Sequence, residues 1–382
     1  MTLKSYRIAI VIPKYGLVGG AEQFVAEMTE RIARNPQFDI HVFANRWVTL
    51  SDNVTFHKIP VITFPRFLTT ISFAYFTGRK IRAMGFDLIH THDRIFEADI
   101  FTMHGIPHRI WVHDIRRKSM SLFDHTTAWV EKKLIESTRC AELYAVSDVA
   151  RDVFFREYTL PPARVRVMHP GVDLDRFTTI DPIACRREIR TRFGIGPSDT
   201  VLLFVSMNYE IKGLDHIMAG IAHARQHLQS APVKLLIVGK GNVGKYSKIA
   251  RTLGISDDVI FVGVQEEHLE RFYHASDMFA ILSAFDTFGI TVLEAMSASL
   301  PVIVSSNVGA KDLVQHGING FIIDDTKNIA DIADKFVRLL DRNRRTAMGH
   351  AAYLTARDHT WERIAAGMEE VYRELLVRKS SA

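Results

Sequence analysis

Cysteine is nearly missing. Cys140 and Cys185 are the only two in 382 residues. They match no metal or redox spacing, which excludes a disulfide framework and a dithiol centre. Two free thiols suit a reducing compartment, so the expected location is the cytoplasm. Long apolar runs are missing too. No stretch approaches the ~20 apolar residues of a membrane span. The N-terminal run Ile8 to Ile12 is too short for the core of a secretory leader and runs straight into Pro13 and Lys14. Nor does one charge dominate: 48 Lys and Arg against 43 Asp and Glu leave +5. With no basic–aromatic RNA signature beside it, that balance argues against nucleic acid as a partner. A pI near 9.1 still suits anionic substrates, or peripheral contact with the anionic inner face of the cytoplasmic membrane.

What is present is an alternation of short apolar runs with helical periodicity, over a length sufficient for two domains. Tyr6 to Ile12 reads as a strand, Pro13 to Gly20 as a loop, and the next stretch as a helix with Ala21, Phe24, Val25, Met28 and Ile32 at helical spacing. Strands follow at Asp39 to Ala44, from Val54, and at Asp87 to His92. The aromatic-rich stretch from Phe64 to Phe76 and the stretch from Ala128 to Arg139 read as helices. Alternation restarts at Val201 to Ser206, and the chain closes on helices from Ile329, Arg344 and Trp361. The fold class is α/β: two doubly wound, Rossmann-like parallel-sheet domains, 1–175 and 176–360, before a last amphipathic helix at 361–382.

The most informative stretch runs from Ile281 to Ser305: a buried strand, a polar turn, a helix from about Phe288 and Gly289, and a strand after Pro301. The turn carries Asp286, and the helix carries Glu294. The backbone N–H groups of Phe288, Gly289 and Ile290 at the helix start suit phosphate or hydroxyls. Two nearby carboxylates suggest glycoside hydrolysis, but eight positions of helix rise roughly 12 Å. Retaining hydrolases need about 5–5.5 Å between carboxyls and inverting ones about 6.5–9.5 Å. The pair is better spaced to hold two ends of one long ligand. The competing reading makes Asp286 a helix cap and Glu294 a solvated helix residue.

Elsewhere, Gly19 and Gly20 precede a helix in a βα unit, where glycines let the backbone approach a ligand or simply make a tight turn. Gly239, Gly241 and Gly244 spell a dinucleotide fingerprint, with Glu266 and Glu267 roughly 20 residues on. The same run begins a P-loop, which fails because Tyr246 stands where Ser or Thr would bind magnesium. His90, His92, His104, His108 and His113 crowd one region without a zinc spacing, so no metal is expected. Asp173-Leu174-Asp175 falls before a basic helix rather than at a strand end, and it reads as coincidence. Arg109, Arg116, Arg117 and Lys118 surround Trp111. They are either a solvated face or a surface for a phosphorylated or membrane-anchored acceptor.

Asp286-Thr-Phe-Gly-Ile-Thr-Val-Leu-Glu294-Ala-Met resembles the donor-site signature of the family-4 retaining glycosyltransferases, and the resemblance runs through most of the chain. It implies the GT-B architecture, two Rossmann-like domains facing a cleft, with the last helix packing back on the first domain. By this resemblance Glu294 binds the nucleotide ribose, and the Phe288-Gly289-Ile290 backbone meets the diphosphate and sugar. Asp286 stands where most members have Glu. Gly19-Gly20-Ala21-Glu22 resembles the loop facing donor phosphates and acceptor, and His104-Gly105 the strand-end histidine beside the sugar. Lys212-Gly213 matches the lysine that neutralises the diphosphate, although Asn208 to Ile211 lack the arginine common upstream. Val264 falls in the expected base-binding turn, and Pro170 replaces an Asn between the domains. Asp286 and His104 are thus the expected catalytic residues.

The implied function is retaining, metal-independent transfer of a hexose from a nucleotide-sugar, expected to be a UDP-hexose, to a glycan or glycolipid hydroxyl, with no cofactor. The aromatic-rich first domain most resembles lipopolysaccharide-core and related cell-envelope transferases. A non-catalytic sugar-nucleotide-binding subunit and an NAD-dependent oxidoreductase are the alternatives.

Overall fold

A computed structural model describes residues 5–17, 19–227, 233–265 and 267–381. The chain divides into two compact units. One runs to Gly171 and resumes at Trp361, and the other spans Val172–Thr360. The second unit is tied at its ends: the Val172 N–H donates to the His359 carbonyl at 2.9 Å, and Val172 bridges Thr360.

In the first unit the strands lie in the order Val54–Lys58, Phe38–Ala44, Tyr6–Val11, Leu88–Thr91, Ile100–Met103, Glu142–Ala145 and Val165–Val167. Every pairing among them is parallel. By chain order the sheet reads 3-2-1-4-5-6-7, with its switch point between Tyr6–Val11 and Leu88–Thr91. The inner strands are buried throughout, as strands covered by helices on both faces are, and they carry His90, Thr91, Thr102 and Glu142 among their apolar residues. The last helix, Trp361–Ser380, completes this unit. Trp361 meets Phe24 edge to face at 5.4 Å, and the Tyr372 hydroxyl lies 2.7 Å from His90 Nδ1.

The second unit repeats the plan: Val259–Gly263, Val233–Gly239, Thr200–Ser206, Met278–Ile281, Val302–Ser305 and Gly320–Ile323, all parallel. Its switch point lies between Thr200–Ser206 and Met278–Ile281. Helix 214–227 covers one face, where Gly220 admits Ile332 and Phe336 of the helix Ile329–Arg338.

Several boundaries differ from the sequence reading. The helix expected over Phe64 to Phe76 is Leu68–Met84, and Phe64 stays 88% exposed outside it. The helix expected from Ala128 is Leu122–Ile135. Ser121 and Asp124 start it as a reciprocal capping box, a signature present in the sequence. The helix placed from Arg344 starts at Arg342, because Asp341 caps it.

Candidate active site

In the second unit the two strands flanking the switch point each feed one loop. The loop after Thr200–Ser206 carries Lys212, and the loop after Met278–Ile281 carries Asp286. These loops are joined backbone to backbone: Leu282 N–H donates to Lys212 O at 3.2 Å, and Ala284 N–H to Ile211 O at 3.0 Å. Gly213 makes the approach possible. Its φ is +73°, and a Cβ there would lie 2.1 Å from the Leu282 carbonyl oxygen. The result is an ion pair between Lys212 Nζ and Asp286 Oδ2. Adjacency in the sheet, not in the sequence, brings them together.

Asp286 is fixed from three sides. Its N–H donates to Asn307 O and its carbonyl accepts from Gly309 N–H, both at 3.0 Å. Its Oδ1 accepts from Phe288 N–H at 3.3 Å. The helix proper is Ile290–Ser297, with left-handed Gly289 at its cap position and no side-chain cap bond. The capping alternative for Asp286 is thereby set aside. The Phe288 N–H, expected to face a ligand, is engaged by Asp286, whereas those of Gly289 and Ile290 have no acceptor among the described residues. A Cβ on Gly289 would press on Asp286 Oδ2 at 3.1 Å and on Val308 at 3.2 Å.

Glu294 is not a solvated helix residue: it is 7% exposed. The Tyr273 hydroxyl donates to its Oε2 at 2.7 Å, and Arg176 Nη1 lies 3.7 Å from Oε1. Arg176 also reaches Glu270 at 3.4 Å. Burial holds the Glu294 carboxyl above its ordinary range, while Tyr273 and Arg176 pull the other way. The sequence reading missed Tyr273 and Arg176. The segment around Tyr273 gives no signal, and Arg176 is one of many linker charges.

Packing accounts for two of the three fingerprint glycines. A Cβ on Gly239 would meet the Ser206 carbonyl at 1.9 Å, and one on Gly241 the Tyr209 ring at 2.1 Å. Tyr209 itself is buried and donates to Gly239 O, anchoring the loop that lacks the family's arginine. Glu210 pairs with Lys245 at 3.2 Å. Val264 lies exposed just beyond Val259–Gly263, Glu267 is exposed, and Glu266 lies outside the described residues.

In the first unit, Gly19 and Gly20 are exposed at the start of Gly20–Ile32. Gly19 has φ +153°, and a Cβ there would strike the Glu22 carboxylate. His104 follows Ile100–Met103. It sits edge-on to Phe24 at 4.8 Å, with its Nε2 2.9 Å from His92 Nδ1. Burial lowers the pKa of His104, like that of His90, to about 3. His92 Nε2 is buried without a partner. An orphaned N–H is rarer than an orphaned acceptor, which favours His92 donating to His104 and leaves His104 with its proton on Nδ1. Among the described residues no group of three or more His, Cys, Asp or Glu is arranged to hold a metal ion.

The basic cluster divides. Arg109 pairs with Glu157 at 3.4 Å. Arg117 and Lys118 join His113 and His125 around an open depression of about 500 Å³, while Arg116 is exposed beside them. No helix among the described residues is long and apolar enough to cross a membrane.

Comparison with known proteins bears on the family and the fold. Residues 18–176 match the Glycosyltransferase Family 4 model, and residues 186–355 match Glycosyl transferases group 1. A D-inositol 3-phosphate glycosyltransferase of Actinosynnema mirum is 30% identical, over 70% of this chain and 67% of that protein. An uncharacterized glycosyltransferase of Methanocaldococcus jannaschii is 25% identical, over 96% and 98%. Among solved structures, WaaG, a glycosyltransferase involved in lipopolysaccharide biosynthesis, superposes with TM-score 0.76 at 18% identity, over 95% of this chain and 99% of that one. Anabaena HepE in complex with UDP-glucose gives 0.71 at 16%, over 97% and 100%. The two 3-2-1-4 sheets and these matches lead to one assignment: the chain belongs to the family-4 glycosyltransferases and has their GT-B fold.

Proposed function

We propose that the protein transfers a hexose from a nucleotide-sugar, a UDP-hexose in the first instance, to a hydroxyl of a glycan or glycolipid, with retention of configuration and without a metal. The observation that carries this reading is the second unit's switch point. There a lysine, a fixed carboxylate and a helix N-terminus meet, with buried Glu294 further along the same helix. Lys212 and the N–H groups of Gly289 and Ile290 would stabilise the charge of the leaving diphosphate. Glu294 would accept from the ribose hydroxyls, Val264 would lie against the base, and Asp286 would face the sugar. In the first unit, Gly19 and Gly20 are proposed to serve the donor phosphates, and His104 to offer a neutral donor to a hydroxyl.

The depression around Arg117 and Lys118 suits a phosphorylated acceptor or an anionic membrane face. The phosphorylated acceptor named for the Actinosynnema relative supports this, and WaaG supports a role in building the cell envelope. Screening UDP-, GDP- and ADP-sugars by thermal shift tests the donor. A ligand at a hundred times its Kd adds about 2.7 kcal/mol. The anomeric configuration of the product tests retention.

A second reading is a sugar-nucleotide-binding subunit without turnover. Asp286 in place of Glu and the missing arginine favour it, and hydrolysis of donor by the purified protein would eliminate it.

A further inference from the structure

Lys212 and Asp286, assigned on sequence grounds to the diphosphate and to the sugar, are each other's partner in the structure. Their freedom to move is unequal. Asp286 is anchored by Asn307 and Gly309 through its backbone and by the Phe288 N–H through Oδ1. Its side chain is 13% exposed, against 24% for Lys212. The lysine rides on a flexible four-carbon stem with three donors. If the pair opens, the ammonium swings and the carboxylate stays.

We propose that Asp286 is an internal stand-in for the diphosphate. It holds Lys212 while the site is empty, and the diphosphate end of the donor exchanges that partner, releasing Oδ2 toward the sugar. The inference rests on the reading above that Lys212 meets the diphosphate. Oδ1 stays bound to Phe288 N–H throughout, so the freed oxygen is already oriented. The missing side chain of Gly289 leaves the space beside that oxygen open. No covalent bond changes in this step; one ammonium trades a carboxylate for a phosphate. The exchange also runs backwards. When the nucleoside diphosphate product is ready to leave, Asp286 competes for Lys212 and weakens the grip on product.

The exchange makes an unusual demand: removing a charge thought to serve the donor must tighten binding of the product. Calorimetric titration with UDP, or with GDP where UDP does not bind, is compared for wild type, Lys212→Ala, Asp286→Asn and the double variant. Asp286→Asn keeps an oxygen for Phe288 N–H, and it is expected to bind about 2- to 5-fold tighter, on the scale of a partly exposed ion pair. Asp286→Ser must do the same, which guards against a fault peculiar to the amide. Lys212→Ala is expected to bind more weakly, and in that background the gain from Asp286→Asn must vanish. Unchanged or weaker binding by Asp286→Asn, with Lys212→Ala impaired, overturns the exchange and leaves the diphosphate placement standing. A gain that persists without Lys212 also overturns it, because plain repulsion between carboxylate and ligand would suffice. If Lys212→Ala binds as well as wild type, the diphosphate placement itself is wrong.

Discussion

Replacing Glu294 by glutamine is predicted to make the second unit more stable and its hold on nucleotide weaker. The stability half follows from linkage. Burial raises the Glu294 pKa above its ordinary 4.5 in the folded chain. Between 4.5 and that raised value the folded chain keeps a proton that the unfolded chain has released. Stability from this group is therefore full below 4.5 and is lost as pH rises through the folded pKa. Glutamine has no such dependence, and its amide oxygen still accepts from Tyr273. The Tm difference, variant minus wild type, should be small at pH 4 and positive at pH 8. The binding half runs the other way. A hydrogen bond to a charged group contributes about 1.5–3 kcal/mol, and one between neutral groups about 0.5–1.5. The loss is thus about 1–1.5 kcal/mol per ribose hydroxyl, or about 2–3 for the diol, roughly 30- to 150-fold in Kd. Calorimetry at pH 8 with the nucleoside diphosphate, beside scanning calorimetry at both pH values, reads both halves. An affinity within threefold of wild type would remove Glu294 from the ribose, and a lower Tm at pH 8 would show that the carboxylate is stabilising on balance.

Gly213→Ala should lower Tm and nucleotide affinity together. A left-handed alanine costs about 1–2 kcal/mol, and its Cβ would push the Lys212 loop off Leu282; an unchanged Tm would mean the loop is free to move. Arg116, Arg117 and Lys118 changed together to Ala should raise the acceptor KM on anionic vesicles while sparing donor hydrolysis, at about 1 kcal/mol per basic residue. Equal activity at low salt would end the membrane reading. The first unit should lose stability as pH falls below about 6.5, because His90 and His104 stay neutral to about 3 when folded but charge when unfolded. At pH 5 each is expected to cost about 2 kcal/mol, and His90→Asn should flatten the acid limb of a Tm-against-pH series.

How much of this was legible in the sequence depends on what each feature requires. The alternation of buried strands and amphipathic helices needs only local periodicity, and it was readable at Tyr6–Val11 and Thr200–Ser206. Helix starts were misplaced where a cap went unread: Ser121 with Asp124 is a capping box in plain sight, and Asp341 caps a helix placed two residues too late. The glycines were seen but not sorted. Gly213 answers to the Leu282 carbonyl, just past a strand and 69 residues away in the chain, and Gly241 to a tyrosine ring from the preceding loop. Only tertiary structure distinguishes those from glycines that admit a ligand.

The Lys212–Asp286 pair marks the limit. Both residues are singled out on sequence, but for separate contacts implied by the family resemblance, and across 74 positions nothing local shows that they meet. What joins them is strand order, and no local pattern encodes order. A rule at a higher level does. In a 3-2-1-4 sheet the first and fourth strands lie side by side with their helices on opposite faces, so the loops beyond them must open the same crevice. Given that order, a lysine after strand one and an aspartate after strand four are brought within reach before any ligand arrives. Two opposite charges left in reach without a ligand will pair. The salt bridge is therefore a consequence of the topology, and under the exchange proposed above an anion that takes Lys212 does so in competition with Asp286.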